Sequence, residues 1–182
     1  MNTSEENAGQ KLSIELAAVE DLEVLKNLLD QANDFSVHKS NELQWSRLQV
    51  AYDAIESHIE RGEMYVARGR QGKVLGAVAL TEADGIWNDS GSEEALYIHK
   101  LMRDHSVEDV ETHALGARLL KFSAEEAIRR AKNTIRCDVM ASTAGLVAYY
   151  ERFGFIKKRE ARWATGKLAY LMEVPTAVLL DL

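Results

Sequence analysis

The sequence holds a single cysteine and a single proline. A lone Cys137 cannot form an intramolecular disulfide, which suits a reducing compartment. Pro175 stands near the end of the sequence, so no proline-rich linker divides the chain. No apolar run approaches the roughly 18 residues that a membrane-spanning helix needs. The opening stretch MNTSEENAGQK has no basic start and no apolar run, and no signal peptide is expected. Basic residues are in the minority, 22 Lys and Arg against 29 Asp and Glu, for a net charge of −7. That balance repels phosphate backbones and argues against a nucleic-acid partner. The expectation is a cytoplasmic protein with neither a membrane nor a nucleic-acid partner.

Several motifs are missing as well. The sequence has no P-loop, no G-x-G-x-x-G, no H-E-x-x-H, no C-x-x-C and no G-x-S-x-G. P-loop kinases, Rossmann dehydrogenases, zincins and α/β-hydrolases are thereby set aside. No metal-ligand spacing is present, and no metal is expected.

What is present describes an ordinary folded domain. The 182 residues, 46% of them apolar, suit one core. Residues 1–11 read as a loose tail and residues 12–182 as one domain. LSIEL (12–16) is a short strand. Leu22, Leu25, Leu28, Leu29 and Ala32 recur at helical spacing, as do Trp45, Leu48, Tyr52, Ile55 and Ile59. EMYVAR and VLGAVAL flank GRQGK as a hairpin, and ALYIHKLM, apolar on both faces, is an interior strand. Leu115, Leu119, Leu120, Ala124, Ala127, Ile128 and Ala131 line a further helix. TIRCDVM alternates as a strand; residues 143–153 form a helix stopped by Gly154; FIKKR and LAYLMEV close the fold as strands. The order β-α-α-β-β-β-α-β-α-β-β is a mixed α/β domain around one central sheet.

Two segments carry chemistry. ETHALGARLL (111–120) runs from a polar loop through Gly116 into the long helix. The first N–H groups of a helix have no internal partners, so this start is either an ordinary helix entry or an anion site. AYYERFGF (148–155) sets two phenols at the end of a helix, just before its glycine stop. They serve either packing or a reaction that needs a phenolic proton. Cys137, between Ile135 and Val139, reads as a small buried hydrophobe. His38 and His105 read as loop residues, and Trp45 as a core residue on its helix face. The acidic loop TEADGIWNDSGSEE reads as a solubilising surface or as an attractor for a cationic amine, with Trp87 able to face an acceptor pocket. Trp163 stays open between core and site.

These parts, in this order, resemble the GNAT superfamily of acyl-CoA-dependent N-acetyltransferases. His113-Ala-Leu-Gly116-Ala-Arg118 is similar to that family's phosphate loop, Arg/Gln-x-x-Gly-x-Gly/Ala, with Gly116 the outright match. The run from Thr143 through Leu146 and Tyr150 to Gly154 and Phe155 is similar to its later motif, Asn-x-x-Ala-x-x-x-Tyr-x-x-x-Gly-Phe. Tyr150, Gly154 and Phe155 match; Thr143 and Leu146 depart from it.

The resemblance implies a central, mostly antiparallel mixed sheet flanked by helices. It implies acetyl-CoA as cosubstrate and direct transfer to a primary amine of a small molecule or peptide in a ternary complex. Tyr150 would protonate the leaving sulfur. Leu101, Met102 and Arg103 would supply the carbonyl-polarising amide and the strand along which the pantetheine arm lies. His113, Ala114, Leu115, Gly116, Ala117 and Arg118 would hold the diphosphate, and Thr143 would also touch the cosubstrate. Glu94 and His99 are both candidates for the general base. The family also allows a homodimer, and a catalytically silent acyl-CoA sensor on the same scaffold is the alternative function.

Overall fold

A computed structural model describes residues 12–45, 47–88, 94–107 and 114–182. The elements follow the expected order: β1 (Ser13–Leu16), α1 (Leu22–Ser40), α2 (Leu48–Glu60), β2 (Met64–Arg68), β3 (Val74–Thr81), β4 (Ala95–Arg103), α3 (Leu115–Arg129), β5 (Thr134–Met140), α4 (Ala144–Arg152), β6 (Ile156–Arg162) and β7 (Leu168–Pro175). A short helix, α5 (Thr176–Leu180), is added at the end. No described helix is long and apolar enough to cross a membrane.

One seven-stranded sheet runs β1-β2-β3-β4-β5-β7-β6. Every neighbouring pair is antiparallel except β4 and β5, which are parallel. A parallel neighbour requires a crossover, and α3 provides it. The apolar run of β4 arises from burial on both faces: Ala95, Leu96, Tyr97 and Ile98 are all buried. Leu96 and Ile98 face the layer of α3 and α4, while Ala95 and Tyr97 join Trp87 and Leu171 on the other side. In β5 the alternation sends Ile135, Cys137 and Val139 to the α3–α4 side, packed with Leu115, Leu119, Leu120, Tyr150 and Phe155. Arg136 and Asp138 therefore project to the opposite face. There α1 and α2 cover β2, β3 and the end of β4 through Leu25, Leu28, Leu29, Ala51 and Ile55.

Two features of β4 position the site. It pairs with β5 at only three positions, Ala95↔Thr134, Leu96↔Ile135 and Tyr97↔Arg136, after which the ladder stops. Against β3, the register steps from Ala79↔His99 to Ala77↔Met102, so β4 carries one extra residue. This is a β-bulge, and Lys100 within it has φ +50°. A bulge of this kind re-aims side chains where pairing ends.

The structure corrects three placements. Trp45 lies ahead of α2 rather than on its face, because the buried Asn33 takes both its backbone groups. Asn33 accepts the Trp45 N–H at 2.9 Å and donates to its carbonyl at 3.1 Å. His38 sits on α1, not in a loop. Trp87 turns into the interior against Tyr97, with ring centroids 6.1 Å apart, rather than toward a pocket. The expected tail, residues 1–11, lies outside the described residues.

Candidate active site

Beyond Tyr97 and Arg136 the edges of β4 and β5 that face each other have no ladder partner among the described residues. Residues 98–103 and 137–140 form the two walls of a cleft. An extended ligand could add to such an edge as a strand does. Leu101, Met102 and Arg103 lie on one wall, past the bulge. The start of α3 stands at the open end, where Ala114 offers no side-chain cap and the first helical donor is the Arg118 N–H, bonded to the Ala114 carbonyl at 3.0 Å. Leu115, Gly116 and Ala117 make up that first turn; Arg118 is exposed. His113 lies outside the described residues.

Gly116 has a structural reason beyond those read from the sequence. A Cβ there would overlap the hydroxyl of Tyr149, which rests on the first turn of α3. Tyr149 packs in edge contact with Tyr150 at 5.5 Å and Phe153 at 5.0 Å. Burial pushes its phenol up, while the nearby Arg152 and Arg103 pull it down, so two cations stand close to this helix start.

Tyr150 is buried, with Tyr149 on one side and the Phe155 ring 5.1 Å away. Gly154, at φ +86°, closes α4 and places Phe155 there; the Gly154 N–H reaches the Glu151 carbonyl at 2.9 Å. Burial raises the Tyr150 phenol well above its ordinary value, and Cys137, Tyr149 and Asp138 raise it further. Its proton is therefore held at neutral pH. Thr143 precedes α4 with a buried hydroxyl that has no hydrogen-bond partner. Cys137 is buried and its thiol is pushed up, as expected of a packing residue.

On the other face of the cleft, titratable groups meet. Asp84, His99 and Asp138 bring their nitrogen and oxygen atoms within 4.8 Å of one another. Asp84 lies in the loop after β3; its Oδ1 accepts the Ile86 N–H at 3.1 Å, and its buried Oδ2 has no hydrogen bond, with His99 Nε2 3.9 Å away. The Thr81 hydroxyl donates to the Ala83 carbonyl at 3.0 Å and also lies 3.0 Å from His99 Nε2. His99 Nε2 is thereby engaged by the Thr81 hydroxyl. Its ring stacks 5.9 Å from His58, and burial lowers its pKa. Asp138 accepts the Trp163 indole N–H at 2.6 Å. Burial and the charge of Asp84 push Asp138 up to about 6. Lys100, its ammonium 4.9 Å from the Trp45 ring centroid, is pulled down to about 8 by burial, against the charge of Asp138. Two carboxylates and an imidazole are also the donor set of a divalent cation, but the Lys100 ammonium and the indole N–H on Asp138 oppose that use.

The structure brings His99 and Tyr150 to the cleft from opposite faces. It does not bring Glu94 there. Glu94 precedes β4 at its paired end, where its carbonyl receives the Asn133 and Thr134 N–H groups at 2.9 and 3.1 Å. It lies five positions before His99, about 16 Å along the strand. Sequence reasoning missed Asp138, Lys100 and the role of Trp163. The signal for Asp138 was present: an aspartate inside an interior strand is costly unless it has a task.

The model of the acetyltransferase (GNAT) family matches residues 25–155. A model for the smoothelin cytoskeleton protein matches residues 3–39, too short a span to assign a family. The chain is 28% identical over 146 residues to the uncharacterized N-acetyltransferase YesJ of Bacillus subtilis (strain 168), covering 76% of this chain and 78% of that one. A GNAT-family acetyltransferase from Listeria monocytogenes 4b F2365 superposes with a TM-score of 0.69 at 23% identity, over 90% of this chain and 94% of that one. A spermidine N-acetyltransferase from Vibrio cholerae, solved with CoA and spermine, superposes with a TM-score of 0.60 at 16% identity, over 93% and 98%. The chain belongs to the acetyltransferase (GNAT) family and is an acyl-CoA-dependent acetyltransferase.

Proposed function

We propose that this protein acetylates a primary amine of a small molecule or peptide by direct attack of the amine on acetyl-CoA within a ternary complex. The observation that carries this reading is the parting of β4 from β5 after three residue pairs, with Tyr150 held on one face of the gap and polar groups on the other. The pantetheine arm pairs along residues 101–103 and the diphosphate lies at the first turn of α3, where Gly116, Tyr149 and Arg103 meet. An amide just past the Lys100 bulge polarises the thioester carbonyl.

Tyr150 is the acid. An ordinary thiol has a pKa of about 8.5, so the departing thiolate gains from a proton. Burial keeps the Tyr150 phenol protonated, so its proton is available as the thiolate departs. The Vibrio cholerae relative, with spermine bound, supports a small cationic amine as acceptor. The buried, unpaired Cys137 and the net charge of −7 support a cytoplasmic setting without a nucleic-acid partner.

The test is Tyr150→Phe, assayed for CoA release with spermidine, phenethylamine and a lysine-bearing peptide. Turnover is expected to fall roughly 10²–10⁴-fold while acetyl-CoA affinity by calorimetry stays within about threefold. Acetyl-CoA binding by the wild type with no turnover of any amine would instead favour a silent sensor.

A further inference from the structure

The proposed reaction leaves one proton without a destination. As the amine nitrogen bonds to the thioester carbon it becomes cationic, and one N–H proton must leave before the C–S bond breaks productively. Glu94 is at the wrong end of β4. His99 Nε2 is already engaged by the Thr81 hydroxyl at 3.0 Å, with Asp84 Oδ2 3.9 Å away. The cluster also holds two carboxylates, those of Asp84 and Asp138, that can accept a proton.

Resting on the proposed function, we infer that Asp138 is the general base of the reaction, receiving the amine proton on the face of the cleft opposite Tyr150, with Asp84, Trp163 and Lys100 setting its basicity. Asp138 is the carboxylate that the β5 alternation projects from the cleft wall itself, one residue after Cys137. Its neighbour Asp84 directs a buried Oδ2 that makes no hydrogen bond into the same cluster, 3.9 Å from His99 Nε2, which marks the place as one where a cationic nitrogen would be stabilised.

The step balances. The nitrogen lone pair forms the N–C bond, and one N–H proton passes to the Asp138 carboxylate. The C–S bond breaks toward sulfur, which takes the Tyr150 proton. Asp138 later returns its proton to the phenolate through solvent, leaving amide and free CoA thiol.

The groups around Asp138 act in known directions. Asp84 opposes its ionisation; the Trp163 N–H and the Lys100 cation favour it. His99, with His58 and Glu63 behind it, holds its ring neutral through burial. Cys137 and Tyr150 face it from the other side and stay protonated. Lys167 lies on the neighbouring loop and engages Glu42 at 3.5 Å. The result is a carboxylate with a pKa of about 6, suited to accept a proton near neutrality.

The experiment is the pH dependence of kcat at saturating acetyl-CoA with spermidine, phenethylamine and the lysine-bearing peptide. Wild type should show an acid limb near pH 6. Asp138→Asn, which keeps an acceptor for Trp163, should lower kcat about a hundredfold or more and flatten that limb, with acetyl-CoA affinity within about threefold. Asp84→Asn should move the limb to lower pH; Trp163→Phe and Lys100→Met should move it to higher pH. These opposed shifts carry the test even if Asp138→Asn folds poorly, and a merely structural role would not produce them. Near-normal kcat with an intact limb in Asp138→Asn, or loss of the limb in His99→Gln alone, overturns the assignment. Turnover by the wild type in that case leaves the proposed function standing; its absence with all three amines overturns the function itself.

Discussion

The same two strands behave differently along their length. In the paired half of β4 and β5, the charged Arg136 is matched: Glu173 accepts from it at 3.1 Å, the Tyr97 hydroxyl lies at 3.3 Å, and the Trp87 ring centroid at 4.6 Å. Burial alone would weaken its charge, yet Tyr97 and Glu173 outweigh burial and raise its pKa. Two residues further, in the parted half, Asp138 is pushed up to about 6 and Lys100 down to about 8. Arg136 and Asp138 share a strand and a face, but Asp138 and Lys100 lie deeper and their surroundings complete their charges less fully. The paired half is built for stability, and the parted half keeps its titratable groups poised, as a site for proton transfer requires.

Substitutions can break this contrast from either end. Ile135 is fully buried in the paired half, next to Leu96 of β4 and Val174 of β7. Ile135→Ala should cost about 2–5 kcal/mol in chemical denaturation. The fraction that folds should bind acetyl-CoA normally. Equal damage to affinity would show that the two halves are not separable.

In the parted half the largest stability effect should have the opposite sign. The folded pKa of Asp138 lies above its ordinary value, so between about pH 4 and 6 the native state binds more protons than the unfolded state. Its contribution to stability therefore falls across that window and stays low above it. Asp138→Asn should gain ~2–3 kcal/mol at pH 8 and close to nothing at pH 4. Denaturation at both pH values measures this; an unchanged or lower stability at pH 8 would show that the carboxylate is better matched than its surroundings indicate.

A smaller effect tests the mouth of the cleft. Gly116→Ala drives a methyl group into the Tyr149 hydroxyl. It should weaken acetyl-CoA binding, and Tyr149→Phe in the same chain should restore part of it, with a coupling of about 0.5–3 kcal/mol in a double-mutant cycle. Additive losses would mean that the two residues do not share the space.

Much of this arrangement was legible in the residues. Helical spacing in α1 and α3, alternation in β5 and the both-faced apolar run of β4 led to the right element order, and AYYERFGF pointed to Tyr150. Local patterns could not show where a ladder stops. The bulge at Lys100 follows from register against β3, which no local pattern encodes. Glu94 and His99 looked equivalent as strand residues until the pairing put one at the closed end. Trp45 fell on the spacing of α2, but Asn33, twelve positions earlier, took its backbone. Gly116 matched a phosphate-loop position, while its packing reason, Tyr149, comes from another helix. The segment TAVLL was too short for its period to separate α5 from the strand before it.

Hydrogen–deuterium exchange with and without acetyl-CoA tests the difference between the two halves most directly. Slowed exchange should appear at the amides of residues 98–103 and 115–118, while residues 95–97 and 134–136, already laddered, should be unchanged. Protection confined to other strands, or no protection beyond Tyr97, would contradict a cosubstrate seated where β4 and β5 part.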